Sequence, residues 1–343
     1  MLFRNKVVVF VFFLLLITPS GVVGQQPNPP GQVSNSEKAE NEAYLFAHMY
    51  HNDYGKLYYS VSLDGLHWSK LNNGERVFDE YHGHPDIVKG PDNKYYIAGN
   101  TSDASPDINI WGSDDLITWN KHAVYTPDLK ATKGYTNALQ RIGAPKLFYD
   151  KDSENFVLTW HTPHEKGTKE DPEKYWASQR TLYVLSKDLK TFNGPPNLLF
   201  SWNFGTIDVF IRKVDDTYYA ILKDETYPTL FWTTGKTVRI ARSKSLLGPY
   251  SLPSAPISPN FREAPTLIPS PNGKIWYMYY EQYPGVSYGL SIADNLNGPW
   301  FQASGYTHYS DWDKYSLPEA ARHGCMITIS KKEYYNLVNK FGI

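Results

Sequence analysis

One phrase of sequence recurs five times along this chain, and no other feature limits the possible folds so strongly. The phrase is an alternating strand, a turn rich in Ser and Asp, and a short strand closed by an aromatic residue. It occupies residues 57–68, 108–119, 182–192, 239–250 and 289–300, closing on Trp68, Trp119, Phe192, Tyr250 and Trp300. Ahead of the later copies lie pairs of strand-like runs: 86–89 with 94–98, 145–149 with 156–160, 209–212 with 218–222, and 266–269 with 275–280. The turns inside these pairs carry Pro91-Asp92-Asn93, Asp150-Lys151-Asp152, Asp215-Asp216 and Pro271-Asn272-Gly273, the residue types tight turns require. Four-stranded units repeated radially make a β-propeller. The expectation is therefore an all-β fold, a five-bladed β-propeller.

The ends of the chain fit that geometry. The first copy, in 44–71, has no inner strand of its own, and residues 325–329 form a lone strand after the last copy. Paired, they complete the fifth blade and remove the free edge that an open array would expose. Helix is expected only near residues 332–341. A β-sandwich also produces short strands with turn signals, but it does not predict five copies of one phrase.

Composition narrows the class. Of 343 residues, 41% are hydrophobic and 20% charged, enough for a packed core and too apolar for wholesale disorder. The aromatic share is 15%, which favours strands and also suits a carbohydrate ligand, whose rings present apolar faces for stacking. A net charge of −1 argues against a nucleic-acid binder. The single cysteine, Cys325, excludes a disulfide framework, a cysteine-built zinc cluster and an iron–sulfur site.

Residues 1–24 read as a secretory signal peptide: Arg4 and Lys6 precede an apolar run at 7–17 that falls short of the about 20 residues a spanning helix needs. A retained anchor is the alternative. Residues 25–43, rich in Pro, Asn, Ser and Gln, read as a disordered linker, and 44–343 as the propeller domain. The mature chain is expected to be a secreted or periplasmic monomer, free of membrane after signal cleavage. Asn100-Thr101-Ser102 is a glycosylation sequon.

Inner strands line a propeller's axis, so residues at their starts converge. The five starts read His84-Pro85-Asp86, Gly143-Ala144-Pro145, Ile207-Asp208, Glu263-Ala264-Pro265 and His323-Gly324. Three carboxylates, Asp86, Asp208 and Glu263, arrive from three blades. Converging carboxylates are what glycosidic hydrolysis requires: an acid for the leaving oxygen and a carboxylate to activate water. Taken singly, Asp86 suits a surface turn, Asp208 a satisfied backbone amide, and Glu263 an ion pair with Arg262.

These five starts, in this order, resemble those of glycoside hydrolase family 43, whose members include xylosidases, arabinofuranosidases and arabinanases. The resemblance runs from about residue 44 to the end of the chain. It implies an inverting glycosidase acting on plant or algal polysaccharide or oligosaccharide. It further implies Asp86 as general base, Glu263 as general acid, and Asp208 as the neighbour that raises the pKa of Glu263 and orients it. Aligned on apolar residues, however, the equivalent of Asp208 in the first strand is His84. Asp86 comes two residues later, about 6.5 Å further along the strand. His84 is thus the alternative base and a substrate-binding residue.

Other expectations are less specific. Trp111, Trp160 and Phe210, with Trp176 and Trp202, are candidates for sugar stacking, against the ordinary role of filling space between blades. No cofactor is required. The family resemblance suggests a structural calcium ion near His323 in the axial channel, although calcium prefers oxygen ligands and a hydrogen-bonding histidine serves as well. The insertion at 161–179 is read as a solvated loop or a subsite rim. A non-catalytic sugar-binding propeller is the competing function, but it should repeat one pocket in every blade, whereas here unlike polar residues meet at one place.

Overall fold

The computed structural model describes residues 42–102, 105–137, 142–164, 170–283, 287–303 and 314–343. The signal peptide at 1–24 and nearly all of the linker lie outside them. Folded structure starts slightly earlier than expected, because residues 42 and 43 already belong to the first strand.

Five sheets account for nearly all the regular structure. Strands β1 (Glu42–Tyr50), β2 (Asp53–Ser62) and β3 (Ser69–Lys70) belong to the closing blade. The first blade holds β4 (Asp86–Lys89), β5 (Tyr95–Asn100), β6 (Ile108–Ser113) and β7 (Asn120–Tyr125). The second holds β8 (Gly143–Asp150), β9 (Asn155–Pro163), β10 (Gln179–Ser186) and β11 (Phe192–Leu198). In the third are β12 (Thr206–Val214), β13 (Thr217–Asp224) and β14 (Thr237–Ser243). The fourth consists of β15 (Arg262–Pro269), β16 (Trp276–Gln282), β17 (Ser287–Ala293) and β18 (Phe301–Gln302). The last strand, β19 (Ala321–Ser330), returns to pair antiparallel with β1, giving the order β19-β1-β2-β3. The fold is the expected five-bladed propeller, closed by its two terminal strands.

The third blade differs from the four-stranded pattern in having three strands. Its outer edge is covered by an irregular segment in which Ser251, Ser254 and Ile257 donate backbone N–H groups to Arg242, Ile240 and Val238. Pro249, Pro253, Pro256 and Pro259 interrupt that segment. Each removes a donor, so a regular ladder cannot form.

The recurring phrase has a physical basis. Ser62 Oγ accepts the N–H of Gly65, and Asp64 Oδ1 accepts those of Leu66 and His67. Ser113 and Asp115 repeat this for Leu116, Ile117 and Thr118, and Ser186 and Asp188 for Leu189, Lys190 and Thr191. Side-chain oxygens thus replace ladder partners at each turn, which is why Ser and Asp recur.

The core is divided into five apolar clusters, each between adjacent blades. Flat aromatic side chains suit these wedge-shaped gaps, which accounts for the high aromatic content. Among the described residues two α-helices supplement the strands: α1 (Pro172–Ala177), capped by Asp171 inside the 161–179 insertion, and α2 (Lys331–Phe341). The latter begins with a capping box of Ser330 and Glu333 and packs Tyr334 and Leu337 on the first cluster. Phe46 is fully buried at the junction between the fourth and closing blades, against Trp68 and Tyr288. Phe46→Ala is expected to destabilise the protein by about 3–5 kcal/mol, read from the shift in denaturant midpoint at unchanged slope.

Candidate functional site

The inner strands β8, β12, β15 and β19 share one local irregularity. Their pairing registers jump between Gly143 and Lys146, Ile207 and Phe210, Glu263 and Thr266, and around His323. In each jump one non-glycine residue takes a left-handed conformation: Ala144 at φ +42°, Asp208 at +53°, Ala264 at +45° and His323 at +28°. Such bulges re-aim side chains and are favoured beside functional sites. Each lies three residues before a buried apolar anchor, Leu147, Ile211, Leu267 or Met326. In the first blade the corresponding anchor is Ile87, which puts His84 in this layer; β4 itself begins at Asp86 and has no bulge.

The bulged layer forms the wall of a cavity of about 350 Å³, whose lining includes His84, Asp208, Lys223, Glu263, Arg322 and His323. Asp208 and Glu263 thus meet in one space. Asp208 is almost wholly buried, and its Oδ2 accepts the N–H of Ala264 at 3.0 Å. The Glu263 side chain is 13% exposed and better placed to meet a ligand. Its Oε2 accepts from Lys223 Nζ at 2.8 Å, and its Oε1 lies 3.8 Å from both Arg322 and His323.

The two carboxyls are driven in opposite directions. Burial raises Asp208 above the ordinary carboxylate value; the His323 charge pulls it back and the Glu263 charge adds to the rise. Burial also pushes Glu263 upward, but Lys223, His323 and Arg322 together outweigh it and hold Glu263 below its usual value. The expected upward tuning of Glu263 is therefore reversed in the free cavity by a cation absent from the sequence reading. Lys223 is itself held well above its normal value, because Glu263 and Glu225 overcome the cost of burying it. Glu225 bridges Lys223 at 2.7 Å to Lys236, completing an alternating row of buried charges.

The histidines differ in character. His84 Nε2 lies 2.6 Å from the Tyr54 hydroxyl, its ring abuts that of His323, and its Nδ1 meets no hydrogen-bond partner among the described residues. Burial first, then the charges of His323 and Lys146, push His84 well below its ordinary value, so it is neutral. Burial opposes charge on His323 too, but ion pairing with Glu281 prevails and raises it.

Asp86 lies elsewhere. It occupies the layer below the cavity wall, where its Oδ2 accepts the N–H of Leu147 at 2.7 Å and its Oδ1 lies 3.8 Å from Lys146 Nζ. It does not line the cavity. The two-residue offset between His84 and Asp86 is kept because β4 has no bulge to absorb it. Trp111, Trp160 and Phe210 also lie outside the cavity, buried in three different interblade clusters. Trp176, on α1, does line it, whereas Trp202 stacks on Phe200 at 4.0 Å. Asn100 of the sequon is buried, donating to the carbonyl of Ile142, so it is not an accessible acceptor.

Among the described residues, Glu263, Glu281 and His323 are close enough to share a cation. The donor set does not suit calcium. Lys223 and Arg322 already pair with the carboxylates, and His323, itself hydrogen-bonded to Glu281, offers a ring nitrogen in place of an oxygen ligand. Lys223, Glu225 and Arg322 went unrecognised in the sequence reading. Their only signal is charge at strand ends otherwise built from apolar runs, as in Tyr-Tyr-Ala-Ile-Leu-Lys-Asp-Glu at 218–225. His161 was hidden differently: a Cβ at Gly143 would fall 2.0 Å from its Nε2, so the glycine makes room for a ring that lines the cavity.

Comparison with known proteins bears on this arrangement. An α-L-arabinofuranosidase of Bifidobacterium longum subsp. longum is 24% identical over 172 residues, 47% of this chain but only 16% of that relative. Among solved structures, a variant of the exo-β-1,3-galactanase of Phanerochaete chrysosporium with β-1,3-galactotriose superposes at a TM-score of 0.51. It has 12% identity, over 76% of this chain and 53% of that one. An α-L-arabinofuranosidase from Lactobacillus brevis gives a TM-score of 0.50 at 15% identity, over 65% of this chain and 72% of that one. These structural likenesses establish the fold. A family model described as "Probable glycosyl hydrolase domain" matches residues 39–335. Since that match runs from the start of the first strand into the C-terminal helix, the chain belongs to the glycosyl hydrolase 43-related family.

Proposed function

We propose that this chain is a glycosidase that releases terminal sugar units from plant or algal oligosaccharide or polysaccharide, in the manner of a β-xylosidase or α-L-arabinofuranosidase. The observation that carries the reading is the meeting of two carboxyls from separate blades, Asp208 and Glu263, in the wall of one cavity beside Lys223, Arg322 and His323. The cavity volume falls at the small end of the about 300–1,000 Å³ typical of ligand sites, which suits one terminal unit rather than a long chain laid across. The arabinofuranosidase and galactanase relatives support a sugar substrate. The apolar leader supports a secreted or periplasmic location, and we read the mature protein as a monomer free of membrane.

Glu263 is the proton donor in this reading, because it is the more exposed of the two carboxyls that line the cavity. Asp208, fixed on the Ala264 amide, tunes and orients it. Lys223 holds Glu263 ionised in the free site, so protonation requires a sugar hydroxyl to take over the ammonium group. Water is held by His84, whose unengaged Nδ1 takes the proton of the water as its oxygen bonds to the anomeric carbon and the bond to the leaving oxygen, protonated by Glu263, breaks with inversion. A second reading, sugar binding without cleavage, is favoured by one specific observation: the carboxylate expected to act as base, Asp86, caps a backbone amide below the site.

Three measurements test these assignments. On a panel of aryl xylopyranosides, arabinofuranosides, galactosides and fucosides, Glu263→Gln should lower turnover about 100- to 10,000-fold on whichever substrate the wild type cleaves. Equal inertness of both proteins, with sugar binding retained, selects the non-catalytic reading. Replacing Lys223 by Met removes the charge that depresses Glu263, so the pKa of Glu263 rises and it stays protonated to higher pH. The alkaline limb of kcat/KM should therefore move upward; an upward shift of the acidic limb instead makes Glu263 a base. Finally, His84→Ala should reduce kcat by about 100-fold or more, the lower range of proton-transfer effects. Asp86→Asn should leave kcat within a few-fold while costing about 1–3 kcal/mol of stability through its buried hydrogen bond. The reverse pattern would assign water activation to Asp86.

A further inference from the structure

The connection between β13 and β14, residues 226–235, presents the most exposed apolar side chains of the described structure. Leu230 is 95% and Phe231 99% exposed, and the same segment also exposes Trp232 at 58% and Tyr227 at 47%. Burial of a large apolar side chain is worth about 1.5–3 kcal/mol, so a cluster left in water this completely marks a contact surface. The segment is not a loose strap. Lys236 donates its N–H to Thr226, and Thr229 and Trp232 close a turn in which the Thr229 hydroxyl accepts from Phe231 and Trp232. Asn260 clamps the outer side, donating to Thr233 and accepting from Gly235. The rings are therefore displayed by a braced support.

The surface is continuous with the cavity already described. Glu225 and Lys236, which flank the segment at its two ends, both line the cavity and pair with each other. A series of rings leads outward from the wall: Tyr283, which lines the cavity, lies 6.1 Å from Phe261, and Phe261 lies 6.1 Å from Tyr227. Phe261 holds a left-handed backbone conformation at φ +58°, a strained arrangement for a bulky residue. Residues 226–235 contain no charged side chain. An anionic membrane surface would call for flanking lysines or arginines, whereas an uncharged hydroxylated ligand with apolar faces calls for aromatic rings and threonines.

We propose that residues 226–235 form an outer sugar-binding surface on which neutral units of the glycan chain, beyond the terminal unit held in the cavity, stack against Tyr227, Phe231 and Trp232. This rests on the cavity being a glycosidase site. It assigns to the segment a preference for chain length rather than for the identity of the terminal sugar.

The double substitution Phe231→Ala with Trp232→Ala removes two exposed rings without touching the core. Its action should be compared with wild type on an aryl monoglycoside and on oligosaccharides of increasing length from arabinan, arabinoxylan and β-1,3-galactan. Retardation in native gels containing the polymers gives a second readout. The expected result is unchanged kcat/KM on the aryl monoglycoside, with a loss of about tenfold on the longer chains and in polymer retention, and recovery by Trp232→Phe in the Phe231-containing chain. Equal action of the double variant and wild type on every chain length overturns the proposal and leaves the cavity reading standing. A wild type that neither cleaves nor binds any of these sugars removes the cavity reading, and this one with it. Co-sedimentation of wild type with phosphatidylcholine vesicles, lost in the double variant while polymer retention is unchanged, overturns the proposal in favour of a membrane contact.

Discussion

A sheet array wrapped around an axis is stable only if each blade is tied to the next, and here every junction has its own hydrogen bond between a side chain and the neighbouring main chain. Ile87 donates its N–H to Cys325 Sγ, Leu147 to Asp86 and Ala264 to Asp208; Met326 donates to Thr266 Oγ1, and the Thr159 hydroxyl donates to the carbonyl of Val209. Together with the pairing of β1 and β19, these contacts close the ring. Buried backbone groups must find partners, and at these junctions the side chains of the neighbouring blade supply them. The ring of inner strands is in this sense a single hydrogen-bonded unit, and the cavity is its upper rim.

That rim is where the backbone is strained. Ala144, Asp208, Ala264 and His323 all occupy left-handed conformations that cost of order 1–3 kcal/mol each for residues with a side chain. The stitched strands below hold them there. The strain has a geometric result, since the bulged positions include Ala144, Asp208 and His323, and these side chains line the cavity. Asp208 shows the economy of the arrangement: one oxygen ties the third blade to the fourth, and the same carboxyl faces the cavity. The first blade has no bulge, and its acidic residue stays one layer down.

Charge at the rim is balanced rather than concentrated. Lys236, Glu225, Lys223 and Glu263 alternate in sign, and Arg322 and His323 meet Glu263 and Glu281 from the other side. Removing so many ions from water is tolerable only when each has a partner. The same pairing sets the direction of each shift: it holds Glu263 below its usual value, and leaves Asp208, which no cation approaches as closely, as the carboxyl that burial raises.

The fold was legible because it is periodic. Ser-x-Asp turns, alternating strands and closing aromatics repeat, and repetition needs no knowledge of long-range contacts; the lone final strand even revealed how the ring would close. Asp208 and Glu263 were legible for the same reason, standing within one residue of equivalent points at the starts of inner strands. The third blade was expected to have four strands like the rest, and only the structure shows that the prolines after β14 leave it with three. What could not be read is whatever depends on which layer or which blade a side chain finally faces. Asp86 and His84 differ by two residues, and only a bulge, a feature of strand pairing, decides which reaches the cavity. Trp111, Trp160 and Phe210 look like sugar platforms in sequence and are wedges between blades in space. Lys223 and Arg322 are unremarkable in a linear reading, because a pKa depends on distances between residues that the chain brings together only after folding. Sequence periodicity determined the ring and two of its acidic residues; tertiary structure decided which charges stand beside them, since electrostatic coupling depends on separation through space and not along the chain.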